Sequence, residues 1–124
     1  MVLADGCFDP LHYGHIRYLS AAAAFGELMV RIAPDSAITA KGRAPFQWRH
    51  ERARTVAALR MVSCVVFDET LETAVERLRP AYLIKGADWQ GRLSESLNRI
   101  CAKVGTEIFY VATMERTSTE RLRA

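Results

Sequence analysis

The chain of 124 residues is long enough for one domain with a hydrophobic core and too short for two ordinary domains. Half of its residues are apolar and a quarter are charged, which excludes a disordered or fibrous protein, and no apolar run approaches the roughly 20 residues of a membrane span. The formal charge of +3 comes from basic residues that alternate with acidic ones, which favours a small anionic substrate over a nucleic-acid partner.

In the first half of the chain, apolar runs alternate with a helical pattern and a polar segment. Residues 2–8 (VLADGCF) predict a first strand, and residues 12–26 carry apolar side chains at helical spacing up to a terminating glycine. Residues 28–34 predict a second strand that is closed by a proline. The polar segment 35–46 contains glycine and proline and predicts a loop.

In the second half, helices and strands alternate regularly. The predicted elements are a helix over 47–60, a strand over 63–68, a helix over 71–79, a strand over 81–86, a helix over 94–105, a strand over 106–112 and the start of a last helix over 118–124. This alternation predicts a single α/β domain over residues 1–124: a doubly wound, Rossmann-like sheet of five parallel strands with helices on both faces. Ligands of such sheets bind outside the carboxyl ends of the strands, where the strand order reverses.

The segment between the first strand and the first helix, GCFDPLHYGH, has the composition of an anion site. Gly6 allows a tight turn, and the backbone amides at the start of the helix can face an anion. His12 and His15 lie three positions apart and so share one face of the first helical turn, while Gly14 between them leaves room for a close ligand. Two imidazoles beside a helix N-terminus suit a phosphoryl centre that gains charge in its transition state.

Two other interpretations of the histidine pair remain open. Histidines at this spacing can hold zinc, but a third ligand is not obvious because the other histidine, His50, belongs to a different helix. The pair can also be purely structural. The cysteines Cys7, Cys64 and Cys101 are scattered and form no CxxC pair, so we expect reduced thiols and no metal held by the protein. The start MVLADG shows no basic segment followed by an apolar run, so we expect no secretory signal and a cytoplasmic location.

The segment GCFDPLHYGH resembles the GxFDxxHxGH signature of the cytidylyltransferase-like nucleotidylyltransferases. This family includes glycerol-3-phosphate cytidylyltransferase, the adenylyltransferase domain of ADP-heptose synthase and archaeal FAD synthase. KGRAP with the later Arg52 resembles the family's basic loop and helix arginine, which implies a phosphate contact for Arg52. KGADW resembles the loop written KGGDY in the heptose enzymes and GDDW in the glycerol enzymes, and RTSTE resembles the RxxxSTT-type segment. The resemblance covers nearly the whole chain.

The resemblance implies a role for each matching residue. His12 and His15 are expected to contact the triphosphate and to stabilise the transition state, and Lys41 is expected to act with them on the leaving pyrophosphate or the incoming phosphate. The nucleotide contacts implied are Gly6, Cys7, Phe8, Asp9, Gly14, Gly86, Asp88, Trp89, Arg116, Ser118 and Thr119. Trp89 is expected to stack on the base, and the hydroxyls of Ser118 and Thr119 to hold phosphates at the start of the last helix.

Several of these residues have simpler alternative interpretations. Lys41 can be a solvated loop charge, Arg52 can pair on the helix surface, and Trp89 can pack at the rim of the sheet. Cys7 is expected to be a small packed residue and not a nucleophile, because no base is placed for it.

The chain departs from the family pattern at two positions. Ser63 stands where the family often has aspartate, and Glu120 replaces a hydroxyl in the STT segment. The carboxylate of Glu120 favours the first turn of a helix but repels a nearby phosphate. We expect this side chain to point away from the phosphates.

The resemblance predicts transfer of CMP or AMP from CTP or ATP, bound with Mg²⁺, to a phosphorylated sugar or polyol with release of pyrophosphate. The acceptor phosphate is already a nucleophile, so no general base is required. A homodimer is expected by the same resemblance. Two alternatives remain: a nucleotide-binding regulatory module without turnover, and a fragment of a class I aminoacyl-tRNA synthetase, which the lack of a tRNA-binding domain disfavours.

Overall fold

The computed structural model describes residues 1–112, so the predicted last helix and the residues Arg116, Ser118, Thr119 and Glu120 lie outside the described residues. The strands are β1 (Val2–Gly6), β2 (Leu28–Ile32), β3 (Cys64–Val66), β4 (Tyr82–Gly86) and β5 (Glu107–Val111). The helices are α1 (Tyr13–Ala23), α2 (Asp35–Thr39), α3 (Arg49–Ala57), α4 (Leu71–Leu78) and α5 (Glu95–Val104), with a short 3₁₀ turn over Ala87–Trp89. Over residues 1–112, no helix has the length and apolar character needed to cross a membrane.

The five strands form one parallel sheet in the order β3-β2-β1-β4-β5. Alternate strand residues point to opposite faces, so Val30 and Ile84 pack with α1 and α3 while Leu3 and Leu83 pack with α4 and α5. The predicted doubly wound α/β fold with helices on both faces is therefore confirmed.

The segment predicted as a loop over residues 35–46 begins with a short helix, so this part of the prediction is wrong. Pro34 precedes α2 and fixes an extended entry, and Ile38 is fully buried. The carboxylate of Asp35 accepts a 2.7 Å bond from Arg52 in α3. Tertiary contacts thus stabilise a single turn whose polar composition favours a loop.

Strands β1 and β4 separate before they end. They pair only at Val2↔Tyr82 and Leu3↔Leu83. Further along, the buried hydroxyl of Tyr18 bridges the gap, because it donates to the carbonyl of Ile84 and accepts from the amide of Asp5 at 3.2 Å. Burial raises the pKa of Tyr18 above its ordinary value, so the hydroxyl stays protonated and can donate. The sheet therefore opens at the carboxyl ends of β1 and β4, where the strand order reverses.

Candidate active site

A cleft of about 800 Å³ occupies this opening, a size typical of small-molecule sites. Apart from Arg52, every predicted site residue within residues 1–112 lines it. Those from the segment between β1 and α1 are Gly6, Cys7, Phe8, Asp9, His12, Gly14 and His15. Those from other segments are Lys41, Gly86, Asp88 and Trp89.

His12 and His15 cap the N-terminus of α1. The Nδ1 atom of His12 accepts from the amide of Gly14 at 3.0 Å, and the Nδ1 atom of His15 accepts from the amide of His12 at 3.1 Å. The two rings stack with their centroids 3.7 Å apart. Because both Nδ1 atoms accept, the neutral rings carry their protons on Nε2, which leaves each ring a donor that the cap does not use.

His15 is held in its neutral form. Burial lowers its pKa to about 4, and the neighbouring His12 adds to the shift. The edge of Phe8 contacts the His15 ring at 5.1 Å between centroids, which accounts for part of this burial. His15 therefore enters any reaction near neutral pH as a neutral hydrogen-bond donor.

Gly6 is required because the Phe8 ring lies directly over it. A Cβ atom at position 6 would meet the Phe8 ring at 2.9 Å, a distance at which something must move. Phe8 itself has a positive φ of 53°, an uncommon conformation for a bulky residue. The tight turn predicted at the end of β1 thus depends on the absence of a side chain at Gly6, which lets the Phe8 ring pack against the backbone.

The Asp9 carboxylate is directed at the loop that follows α2. It accepts bonds from Arg43 at 2.7 Å and from the amides of Phe46 and Gln47, both at 2.9 Å. Burial raises the pKa of Asp9, but the Arg43 hydrogen bond and the two amide hydrogen bonds outweigh that effect and hold the pKa below its ordinary value. Asp9 lies in the cleft, as predicted, and its carboxylate fixes Arg43 at the cleft wall.

The family resemblance suggests a phosphate contact for Arg52, but the structure contradicts it. The side chain is fully buried. Its guanidinium donates to the carbonyls of Cys7 and Gln47 and to the Asp35 carboxylate. Arg52 therefore joins the turn after β1, the start of α2 and the loop before α3, and it has no surface with which to reach a ligand.

The loop lysine Lys41 lies at the mouth of the cleft. Its Nζ atom is 3.6 Å from the Sγ atom of Cys7, and both residues line the cleft. The side chain is exposed, so it can turn toward a ligand without breaking a buried contact.

Three charged residues on neighbouring strands form the floor of the cleft, and motif reasoning did not select them. Arg31 donates to Asp5 at 2.7 Å and to the carbonyls of Asp68 and Glu69 at 2.9 and 2.5 Å. Lys85 lies 3.4 Å from the other carboxylate oxygen of Asp5. We call Arg31, Asp5 and Lys85 the floor triad.

The Lys85 ammonium also lies 4.5 Å from the ring centroid of Trp89, which in turn is 5.7 Å from the guanidinium of Arg92. A charge within an apolar strand pattern is the signal that could have identified the triad. Arg31 and Lys85 interrupt buried strands, and buried charges need partners.

The described residues fit zinc and magnesium differently. Within residues 1–112, no group of three or more His, Cys, Asp or Glu side chains could hold an ion, so the described chain builds no zinc centre around the histidine pair. Magnesium that arrives with a triphosphate needs only one or two protein carboxylates. Asp5 and Asp9 are paired with arginines. Among the described residues, Asp88 is therefore the cleft carboxylate that could contact such a magnesium ion.

The Ser63 departure does not bear on this site. The Ser63 amide donates to the carbonyl of Leu28, the first residue of β2. This position lies at the amino end of the sheet, opposite the cleft.

Comparison with known proteins identifies the family. The family model described as cytidylyltransferase-like matches residues 3–124. The chain belongs to the cytidylyltransferase-like family of nucleotidyltransferases.

Two curated relatives are both described as bifunctional protein HldE. The one from Geobacter sulfurreducens is 45% identical over 94 residues, which is 72% of this chain and 19% of that protein. The one from Gluconobacter oxydans is 38% identical over 98% of this chain and 26% of that protein. The chain thus spans about a fifth to a quarter of the length of these relatives.

Two solved structures share the fold. A lipopolysaccharide core biosynthesis protein from Thermoplasma volcanium superposes with a TM-score of 0.76 at 28% identity, over 94% of this chain and 97% of that chain. A protein of unknown function from Archaeoglobus fulgidus gives a TM-score of 0.74 at 20% identity, over 94% and 93% of the two chains. The second likeness concerns the fold alone.

Proposed function

We propose that the domain transfers CMP or AMP from CTP or ATP to a phosphorylated sugar or polyol and releases pyrophosphate. The observation that carries this proposal is the histidine pair at the start of α1. Their Nδ1 atoms are engaged in the cap, and their rings line the cleft with Nε2–H donors available to an anion. Donors fixed in this way favour charge that develops on a phosphoryl group.

The reaction needs no general base. An ionised oxygen of the acceptor phosphate attacks the α-phosphorus, and the bond from that phosphorus to the bridging oxygen of the pyrophosphate breaks. The nucleotide enters as its magnesium complex, which supplies charge neutralisation when bound. The chain's own residues orient the reactants: the α1 N-terminus and the histidines hold the α-phosphate region, while Lys41 and Arg43 face the leaving pyrophosphate.

Among acceptors, a sugar phosphate is favoured. The Thermoplasma relative is described as a lipopolysaccharide core biosynthesis protein, and that likeness extends over almost the whole chain. The proposal also includes a homodimer, by family resemblance. It further includes a cytoplasmic location, which the three unpaired cysteines favour because thiols persist in a reducing compartment.

The decisive experiment measures pyrophosphate release with ATP and with CTP over a panel of sugar phosphates and polyol phosphates. We expect one nucleotide and one acceptor class to give turnover well above the same reaction without acceptor. Tight nucleotide binding without pyrophosphate release from any acceptor would instead identify a binding module that lacks turnover.

A further inference from the structure

The floor triad contains an ammonium group with unused hydrogen-bonding capacity. Lys85 is 5% exposed, yet among the described residues its Nζ atom has one polar contact, the 3.4 Å approach to Asp5. An ammonium has three donors, and a buried one is stable only when they are satisfied. The Lys85 side chain lines the cleft, so a bound anion can supply the missing acceptors.

Asp5 and Arg31 hold this lysine in place. Arg31 is fixed by hydrogen bonds to the carbonyls of Asp68 and Glu69. It donates to one carboxylate oxygen of Asp5, and the other oxygen of Asp5 faces Lys85. Asp5 and Arg31 are register partners in β1 and β2, so the contact is set by the sheet itself. With two cations and one carboxylate, the floor carries a net positive charge.

The strand order separates Lys85 from the loop cations of the cleft. Lys41 and Arg43 follow β2, Lys85 ends β4, and β1 with the histidine-capped helix lies between them. An in-line transfer needs the leaving group and the attacking group on opposite sides of the α-phosphorus. If the pyrophosphate leaves toward Lys41 and Arg43, the acceptor approaches from the side of Lys85.

We propose that Lys85 binds the phosphate of the acceptor, with Asp5 and Arg31 as positioning residues. This inference rests on the proposed function and deepens it. The acceptor phosphate donates an electron pair to the α-phosphorus while Lys85 neutralises its remaining charge, and the electrons of the breaking bond leave with the pyrophosphate. The net positive floor disfavours acceptors that present a cationic group to it.

Trp89 is a built-in reporter for this site, because its ring lies against the Lys85 ammonium. The chain has two tryptophans, and Trp48 is exposed at the start of α3, so Trp48→Phe leaves a single reporter. The probe is inorganic phosphate, titrated against the fluorescence of this variant. We expect saturable binding, and we expect Lys85→Met in the same background to weaken it roughly tenfold or more.

The matched control is Lys103→Met, which removes an exposed lysine from α5. It should bind phosphate like the parent variant, and thermal melting should show that both substituted proteins fold. Lys85→Arg should restore part of the binding, because it keeps the charge. Arg31→Lys should weaken phosphate binding less than Lys85→Met does, because Lys85 is retained while its partner Asp5 loses the guanidinium that fixes it.

Nucleotide binding separates the acceptor assignment from a nucleotide assignment. We expect Lys85→Met to change ATP and CTP affinity less than about threefold and, with an active acceptor, to raise the acceptor KM more than the nucleotide KM. Unchanged phosphate binding in Lys85→Met, or an equal loss of nucleotide affinity, would overturn the inference. Phosphate binding that depends on Lys85 in a protein that never releases pyrophosphate would defeat the proposed function and leave the anion site standing.

Discussion

In the proposed function, the two histidines of the HYGH segment combine two tasks that are usually divided between residues. Serine or threonine with glutamate commonly closes the start of a helix. Here His12 and His15 make the same reciprocal bonds through Nδ1, which leaves Nε2 of each ring outside the cap. A substitution that preserves the cap while removing the imidazole can therefore separate the structural task from the chemical one.

His12→Asn is that substitution. Asparagine is a strong N-cap, so its side-chain oxygen can replace Nδ1 as acceptor for the Gly14 amide. We expect the thermal midpoint to stay close to that of the native protein, while the rate of pyrophosphate release falls roughly 100-fold or more through loss of one charge-stabilising donor. His12→Ala should show the same rate loss together with lower stability. A variant that turns over at the native rate would contradict the catalytic assignment.

The low pKa of His15 predicts a particular dependence of stability on pH. Burial and then His12 lower it from 6.5 to about 4, so between these values the unfolded chain binds a proton that the folded chain does not. This contribution to stability is complete above pH 6.5 and is lost as the pH falls toward 4. The free energy of unfolding of the native protein should fall between pH 7 and pH 4.5. We expect this fall to be about 1–2 kcal/mol smaller in His15→Gln, which lacks the titrating imidazole but can keep the cap bond.

Urea unfolding at several pH values measures this effect. The control is His50→Gln, which changes an exposed histidine in α3. Parallel pH profiles for the native protein and His15→Gln would contradict the prediction.

The sequence predicts which residues meet in the cleft better than it predicts their bonds. The signature brings Gly6, His12 and His15 to the cleft because these residues depend on a turn and a helix start, which are local structures. The partners of Asp9 and Arg52 depend on the path of the loop between α2 and α3, and local patterns do not describe that path. For that reason the sequence leaves Arg52 between a phosphate contact and pairing on the helix surface, whereas the structure shows a buried side chain that joins three segments.

Removing this side chain should destabilise the protein. Arg52→Met keeps much of the side-chain volume but leaves the Cys7 carbonyl and the Asp35 carboxylate without their donor. We expect a loss of about 3 kcal/mol in the free energy of unfolding, at the low end for a broken buried pair because Asp35 is partly exposed. Arg54→Met, on the exposed face of the same helix, is the matched control. A drop in nucleotide affinity at unchanged stability would instead restore the predicted ligand role.

The sequence predicts the elements that have strong hydrophobic patterns, but not the short helix α2. All five strands are predicted because each is a short apolar run between helical patterns. Helix α2 was missed because a five-residue turn has too short a pattern to detect, and because its stability comes from Ile38 and the bond to Arg52. The separation of β1 and β4 is also not predicted from the sequence, because it depends on one distant side chain: the Tyr18 hydroxyl lies between the two strands and bonds to both.

Tyr18→Phe tests how far one hydroxyl holds these two strands. The substitution keeps the packing of the ring but leaves the buried Ile84 carbonyl and the Asp5 amide without a partner. We expect a loss of about 1–2 kcal/mol in the free energy of unfolding and faster hydrogen exchange at the Asp5 amide. Tyr13→Phe, at a residue that is 57% exposed, should change neither measurement. Native exchange at Asp5 in Tyr18→Phe would show that the strands are held by other contacts.

At the scale of the whole molecule, the sheet distributes charge around one point. The strand order places the loop cations after β2 on one side of the α1 N-terminus and Lys85 of the floor triad, on β4, on the other. A reacting phosphorus between them is flanked by positive charge on both sides, which suits a reaction in which two anionic groups approach and separate. The fold thus predicts where the ligands bind, and the residues at the strand ends decide which ligands these are.

The predicted homodimer concerns the edges of the same sheet. Of the two edge strands, β3 has three residues and β5 has five, and short edges pair poorly. On β5, Phe109 is 37% exposed and lies 5.2 and 5.3 Å from the rings of Phe25 and Tyr82, so the edge carries an aromatic surface. We expect sedimentation velocity at micromolar concentration to give twice the monomer mass, and Phe109→Lys to shift the protein to monomer, because a lysine on an edge strand opposes pairing. Phe67→Lys, beside the opposite edge, should leave the dimer intact. A monomeric native protein would contradict the homodimer, and a dimer that only Phe67→Lys disrupts would place the interface at β3.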